Sequence, residues 1–369
     1  MPRKEPHLVM VGGGHSHALV LRDYAGKNRP RAQLTLIDPA RQASYSGMVP
    51  GVLAGHYPRE LAQIDLAQLA ERAGATLLQA RMLALDMDRR SLRLSSGDEI
   101  PFDLLSLDIG ADLRLDLPGA RHATPAKPLT PLIDRWDRFL ADRAAGVCPP
   151  NLCVIGAGLA GFELALAAAW RLRSDPARPE VLLVDRSKAF AGLGRRAERM
   201  LRKAIHRAGV ILLEETVVAG LGSNSVTLAD GVSHPAGMVI TAAGARAPQA
   251  LIGSGLPLVE GFVSVTPQLH IPGDPTIFAT GDCAHLAHAP RPKAGVFAVR
   301  QAPILAHNLI AATTGDSLRR HDPQGDYLRL VSCGDRRAIA IYHGLSLRGR
   351  WPWWLKDRID RSFVDSFRR

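Results

Sequence analysis

Short runs of consecutive apolar residues, each closed by glycine, punctuate the chain at two places. Leu8-Val-Met-Val11 leads into Gly12-Gly13-Gly14-His15-Ser-His17, and Leu152-Cys-Val-Ile155 leads into Gly156-Ala-Gly158-Leu-Ala-Gly161-Phe-Glu163. An apolar run of this length bounded by glycine reads as a strand buried on both faces. The second turn continues into an apolar helix from Leu164 to Leu172. After each unit comes another apolar strand that ends in an acid: Leu34-Thr-Leu-Ile-Asp38, and Val181-Leu-Leu-Val-Asp185. The pattern predicts two complete βαβ units.

The repeat extends beyond the glycines. Ser91-Leu-Arg-Leu-Ser-Ser-Gly97 through Pro101 to Gly110-Ala111 aligns without a gap on Ser225-Val-Thr-Leu-Ala-Asp-Gly231 through Pro235 to Gly244-Ala245. Both stretches read as a hairpin feeding a buried strand. A single glycine motif is weak evidence. The same series of strand, glycine turn, helix, acid and hairpin occurring twice predicts two nucleotide-binding domains.

Glycine has a distinct task at each position of such a turn. The first permits the tight exit from the strand, the second lets the backbone approach a pyrophosphate, and the third lets helix and strand pack closely. The helix start then offers free N–H groups and its positive dipole end to the phosphates. Asp38 and Asp185 stand where a ribose diol can donate to them. In the second unit Gly156, Gly158 and Gly161 fill all three positions, and Asp185 favours NADH over NADPH, although Arg186 and Lys188 leave room for a 2′-phosphate. The first unit carries His17 at the third position. Either His15 or His17 donates to the pyrophosphate, or His17 packs at a wider helix-strand contact. No metal site is predicted.

Composition narrows the class. With 46% hydrophobic residues in 369, the chain can bury cores in about two domains. The four cysteines have no short paired spacing, which fits a reducing, cytoplasmic setting and speaks against thiolate metal clusters. Met-Pro-Arg-Lys runs directly into the first strand, leaving no room for a secretory leader, and no apolar stretch reaches the roughly 20 residues of a membrane span. The net charge of +11 is scattered, without basic runs or interleaved aromatics, so nucleic acid is not an expected partner. Part of it gathers near the C-terminus. There Trp351-Pro-Trp-Trp354 precedes Leu355, Ile359, Phe363 and Phe367 at every fourth residue, with Lys356, Arg358, Arg361 and Arg368 at other positions. Residues 351–369 are therefore read as an amphipathic helix. It lies on an anionic membrane surface, as a peripheral attachment, or docks onto protein.

A third signal is Thr276-Ile-Phe-Ala-Thr-Gly281-Asp282-Cys-Ala284, an apolar strand with an acid just past its terminal glycine. Together with the two glycine units it resembles the two-dinucleotide-binding-domain flavoproteins. This superfamily includes disulfide reductases, type II NADH dehydrogenases and sulfide:quinone reductases. The segments Tyr45-Ser-Gly-Met-Val-Pro-Gly51, Ala126-Lys-Pro128, Arg291-Pro-Lys-Ala-Gly-Val-Phe-Ala-Val-Arg-Gln301 and Trp354-Leu-Lys-Asp-Arg-Ile-Asp-Arg361 look like the flavoprotein module fused ahead of selenophosphate synthetase in some bacteria. The chain ends where that partner would begin, so a free-standing member is expected, with association with selenophosphate synthetase as a further option.

The resemblance implies an α/β fold of two Rossmann-like domains, the NAD(P) domain inserted into a split FAD domain. It places FAD-binding parts at about 1–120 and 246–320, the NAD(P) domain at 121–245, and a β-hairpin with amphipathic helix at 321–369. FAD would be held by Gly12, Gly13, Gly14, His15, His17, Asp38, Gly110, Gly281 and Asp282, the last on the ribityl chain. Gly295 and Val296 would open a helix facing the pyrimidine edge of the ring, where a helix start favours the negative charge of reduced flavin. NADH or NADPH would be held by Gly156, Gly158, Gly161, Asp185 and Gly244. Lys127, Lys293 and Gln301 are candidates at the flavin edge, Lys293 equally as a solvated loop lysine. No catalytic side chain is assigned. Residues 39–75 contain no cysteine, which excludes the dithiol relay of the disulfide reductases. The leading expectation is hydride transfer from NAD(P)H to flavin and on to a quinone or other small acceptor. The alternatives are a sulfur- or selenium-handling enzyme using Cys283 and Cys333, and a flavin-binding regulatory module without turnover.

Overall fold

The computed structural model describes residues 5–26 and 29–368. Residues 1–4, on which the reading of a missing leader partly rests, lie outside them, as do 27–28 and 369. The chain divides into two compact units. One comprises Met1–Ala43, Ile64–Asp112 and Arg246–Gln324, and the other Ser44–Gln63, Leu113–Ala245 and Gly325–Arg369.

The first unit is built on a six-stranded sheet. Its order is His270–Ile271, Asp274–Ala279, Leu104–Leu107, His7–Val11, Gln33–Ile37 and Ala75–Leu78. All neighbours are parallel except the His270–Ile271 edge, which is antiparallel. The central strands are continuous apolar runs because helices cover both faces of such a sheet. Helix His15–Tyr24 packs on helix Gly295–Thr314, with the Ser16 hydroxyl donating to the Ala298 carbonyl at 2.9 Å and the Tyr24 hydroxyl to the Ala306 carbonyl at 2.9 Å.

The second unit has a five-stranded parallel sheet, ordered Ala123–Pro125, Met238–Thr241, Leu152–Ile155, Val181–Val184 and Ile211–Leu213. Its core centres on Leu152, Val154, Phe162, Leu166 and Ile240, with Trp136 and Phe139 contributed by helix Leu129–Ala144. The expected C-terminal hairpin is a three-stranded antiparallel sheet, Arg329–Ser332, Ala338–Tyr342 and Leu345–Gly349, followed by helix Arg350–Asp365. These Rossmann-like parallel sheets are the fold read from the repeat.

The last helix follows the stripe of four-residue spacing in part, with Phe363 packed beside Met48, Tyr57 and Val364 and Phe367 buried just past the helix end. Its buried residues are Pro352, Asp360 and Val364, whereas Ile359 is exposed. Lys356, grouped by sequence with the solvated cations, turns inward, because its ammonium donates to Asp360 Oδ2 at 2.6 Å and to the Gly47 carbonyl at 2.7 Å. An inward-facing ion pair is invisible to a pattern that sorts charged residues to the outside. Among the described residues, no helix is long and apolar enough to cross a membrane.

Candidate functional site

The two glycine turns are near copies in geometry as well as in sequence. Val11 pairs with Ile37 and Leu107, and Ile155 pairs with Val184 and Thr241. The first glycine of each turn donates to the end of the neighbouring strand, Gly12 to Ile37 and Gly156 to Val184, both at 2.8 Å. Both have positive φ, +92° and +105°, which L side chains rarely adopt. The acid at the end of that strand folds back onto the turn. Asp38 Oδ2 accepts from Gly13 N at 2.7 Å, and Asp185 Oδ2 accepts from Ala157 N at 2.7 Å. Their other oxygens accept from Ala40 N and Ser187 N, each at 2.8 Å. Burial raises the Asp38 pKa, against the two backbone donors that favour its charge.

The helix starts differ. In the second unit, a Cβ on Gly161 would lie 1.8 Å from the Gly156 carbonyl oxygen, so the helix closes directly on the turn. A Cβ on Gly158 would meet nothing within 4 Å, so this is the open side of the turn, and no side chain caps helix Leu159–Leu172. In the first unit the third position is His17, fully buried, with Nδ1 2.7 Å from the Gly12 carbonyl and Nε2 2.7 Å from Ser106 Oγ. A carbonyl only accepts, so Nδ1 carries the proton and Nε2 accepts from the serine. Both ring nitrogens are thus used inside the protein. Burial pushes the His17 pKa down to about 4, against the raising effect of the Gly12 bond, and the ring is neutral at physiological pH.

Around the acid that follows the third glycine motif, Gly281–Cys283 forms a 3-10 turn. Gly281 N donates to Gln301 Oε1 at 2.8 Å, so Gln301, only 2% exposed, holds this turn. Gly281 and Asp282 border a cleft of about 180 Å³ that also takes in Phe262, Lys293 and Phe297. Lys293 is half-buried: its ammonium donates to the Ala284 carbonyl at 2.5 Å and lies 3.9 Å from the centre of the Phe262 ring. Burial lowers its pKa. Gly295 opens the 20-residue helix, with Val296 next to it. Gly110 has φ +71° and Gly244 φ +75°; a Cβ on Gly244 would lie 2.5 Å from the Arg114 carbonyl. Lys127 is half-buried just before helix Leu129–Ala144 of the second unit.

Sequence reading missed Asp108. Its carboxylate is 4% exposed, and Oδ2 accepts from Ser16 N at 2.9 Å and His17 N at 3.2 Å, capping the first-unit helix from another strand. It also missed a buried group in the second unit. Tyr45 donates to Asp360 Oδ1 at 3.2 Å, and Glu163 accepts from Ser332 N at 2.7 Å. Burial raises the pKa of Glu163; burial opposes the charge of Lys356 too, but Asp360 and Glu163 outweigh it and raise that pKa. The signal for Asp108 was present in the gapless repeat, which pairs it with Ala242. The Lys356–Asp360 pair shows only as an i, i+4 spacing common on solvated helices.

Cys153, Cys283 and Cys333 are buried, each with its thiol pKa pushed up to about 12 by burial. Among the described residues no group of three or more His, Cys, Asp or Glu could hold a metal ion.

Comparison with known proteins agrees with the geometry. An NADH dehydrogenase-like protein of Mycobacterium tuberculosis is 29% identical over 236 residues, 60% of this chain and 58% of its own length. The match therefore spans a little over half of that relative. The demethylphylloquinone reductase of Synechocystis is 23% identical over 95% of this chain and 90% of its own. NDH2 from Plasmodium falciparum, solved in complex with NADH, shares the fold with a TM-score of 0.81 at 12% identity, covering 99% of this chain and 98% of its own. The sequence profile of one family fits residues 6–302, both glycine turns and the third motif included. On that match the chain belongs to the pyridine nucleotide-disulphide oxidoreductase family.

Proposed function

We propose that the protein is an FAD-dependent NAD(P)H oxidoreductase that passes electrons to a quinone-like acceptor. The observation that carries this reading is the duplicated turn: two strand-glycine-helix cradles, each with an acid folded back onto it, plus Asp282 at a third strand end. The donor set suits dinucleotides. In the second unit the uncapped helix start, the open side at Gly158 and the Asp185 carboxylate fit a pyrophosphate and a ribose diol. Asp185 keeps lone pairs for the diol after accepting from Ala157 and Ser187, which favours NADH. In the first unit the Gly12–Gly14 turn, Asp38 and Asp282 would hold FAD.

Bound FAD supplies the hydride-accepting chemistry. The chain's own residues bind and orient. Gln301 holds Gly281 next to Asp282, and no side chain caps the start of the Gly295 helix. Lys293, held by Ala284 and Phe262, adds positive charge at that end.

The relative named demethylphylloquinone reductase, aligned over 95% of the chain, supports a quinone acceptor. A sulfur- or selenium-handling reaction would need an accessible thiolate, and Cys283 and Cys333 are buried with thiol pKa values near 12. Trp351, Trp354 and Ile359 of the last helix, with Leu345 and Leu347 of the preceding strand, are exposed beside Arg350 and Arg358. This surface suits an anionic bilayer, where a quinone would be met. The test is anaerobic mixing of the flavin-loaded protein with NADH. The visible flavin band should bleach and return on adding a quinone. A flavin that stays oxidised under excess NADH would leave only a binding module.

A further inference from the structure

The internal repeat isolates one position at which the two cradles differ in chemistry. Ala242 follows the central strand neighbour of the second unit and donates to the Ile155 carbonyl at 2.8 Å. Its counterpart Asp108 makes the same backbone bond, to Val11 at 2.9 Å, but carries a carboxylate. A second difference accompanies it, because Gly161 is matched by His17. In the second unit the space between helix start and strand end is closed by direct contact. In the first unit the His17 ring props the helix against Gly12 and Ser106, and the Asp108 carboxylate fills what is left.

This carboxylate touches two segments that are remote in sequence from it and from each other, residues 14–17 and Gly281. It accepts from the Ser16 and His17 N–H groups. A Cβ on Gly14 would lie 2.3 Å from its Cγ, and a Cβ on Gly281 2.3 Å from its Oδ1. Glycine at 14 and at 281 is therefore required by the same side chain. Two first-turn donors that a helix start otherwise leaves unsatisfied are taken up internally.

We infer that Asp108 is a positioning residue of the flavin cradle, setting the Gly12–Gly14 turn against the Gly281–Asp282 turn. The inference rests on the reading of residues 12–17 and 281–282 as the FAD site. Asp108 acts through hydrogen-bond acceptance at the helix start rather than by touching the reacting atoms. Its removal loosens FAD while leaving the second cradle untouched, because Ala242 already does without such a group.

The test uses the full-length protein stripped of flavin. FAD is titrated by quenching of its fluorescence and NADH by its own fluorescence, for wild type, Asp108→Ala and Asp108→Asn. Losing both charged hydrogen bonds in Asp108→Ala should weaken FAD at least about tenfold. Asp108→Asn keeps an acceptor oxygen but loses the charge, and should weaken FAD by only about twofold to threefold. NADH affinity should stay within about twofold in both variants. The inference is overturned if Asp108→Ala binds FAD like wild type, or loses FAD and NADH alike. It is also overturned if Asp108→Asn binds FAD more tightly than wild type, since Asp108 would then act as a repelling charge. Should Asp108→Ala not fold, Asp108→Asn decides: FAD weakened by about twofold to threefold supports the inference, and an unchanged affinity overturns it. A wild-type protein that takes up no FAD would instead defeat the cofactor assignment, whatever the variants do.

Discussion

Acidification should unfasten the first glycine turn through one imidazole. His17 is fully buried, donates to the Gly12 carbonyl from Nδ1 and accepts from Ser106 at Nε2. A second proton would force the Ser106 hydroxyl to turn from donor to acceptor and place a charge in a fully buried ring to which, among the described residues, no carboxylate is hydrogen-bonded. Burial holds its folded pKa at about 4, against 6.5 for the free side chain. The unfolded chain therefore binds more protons between those values, and stability rises with pH across that window. The contribution is fully present above pH 6.5 and is lost as pH falls towards about 4. A separation of about 2.5 pH units at 1.36 kcal/mol each amounts to about 3 kcal/mol. His56 and His321, whose pKa values burial also lowers, add slope of the same sign. The assay must therefore read a difference. His17→Asn keeps a donor at the Nδ1 position but cannot titrate, so its cost at pH 7 is a constant. Urea unfolding of wild type and His17→Asn, followed by circular dichroism from pH 7 to 4, should show the stability gap shrinking by about 3 kcal/mol. A gap that stays constant with pH would refute the argument.

The remaining expectations concern the second unit and the flavin motif. Gly158→Ala has room in the protein and should leave thermal unfolding unchanged while weakening NADH. Gly161→Ala drives a methyl into the Gly156 carbonyl and should destabilise the unit itself, seen as a lowered melting temperature. Asp282→Ala should purify largely free of flavin; full occupancy measured by absorbance would contradict its assignment. Lys356→Met strands the Asp360 charge and should cost about 3 to 5 kcal/mol in urea unfolding, whereas Lys356→Met with Asp360→Leu should cost less than the single change. Among the thiols, half-buried Cys148 should react with Ellman's reagent ahead of Cys153, Cys283 and Cys333 in the native protein.

Much of the fold was legible because its two sheets are written in continuous apolar strands with glycine at their ends. The pairing of Gly13 with Asp38 and of Ala157 with Asp185 follows from strand adjacency, which the repeat implies. What the pattern could not convey is where a polar side chain turns when it has a buried partner. His17 reads as a deviation from glycine until Ser106 and the Gly12 carbonyl stand beside it. Lys293 reads equally as a flavin-edge or a loop lysine, and its contacts with Ala284 and Phe262 are not written in the pattern. The inward pair of the C-terminal helix escaped notice for the same reason: Lys356 and Asp360 are sorted outward by hydropathy, and only their mutual neutralisation lets them face in.

That inward pair links distant parts of the second unit. Lys356 reaches the Gly47 carbonyl, Asp360 receives the Tyr45 hydroxyl, and Tyr57 donates to Asp357 one turn earlier. The last helix is thus stitched at three points to the segment spanning positions 45–57, which carries the short helix Val49–Leu53. A displacement of the last helix, by a bilayer, a fusion tag or a bound protein, would be transmitted to the segment as a tug on its backbone and two phenols. The tail serves as a handle on that segment.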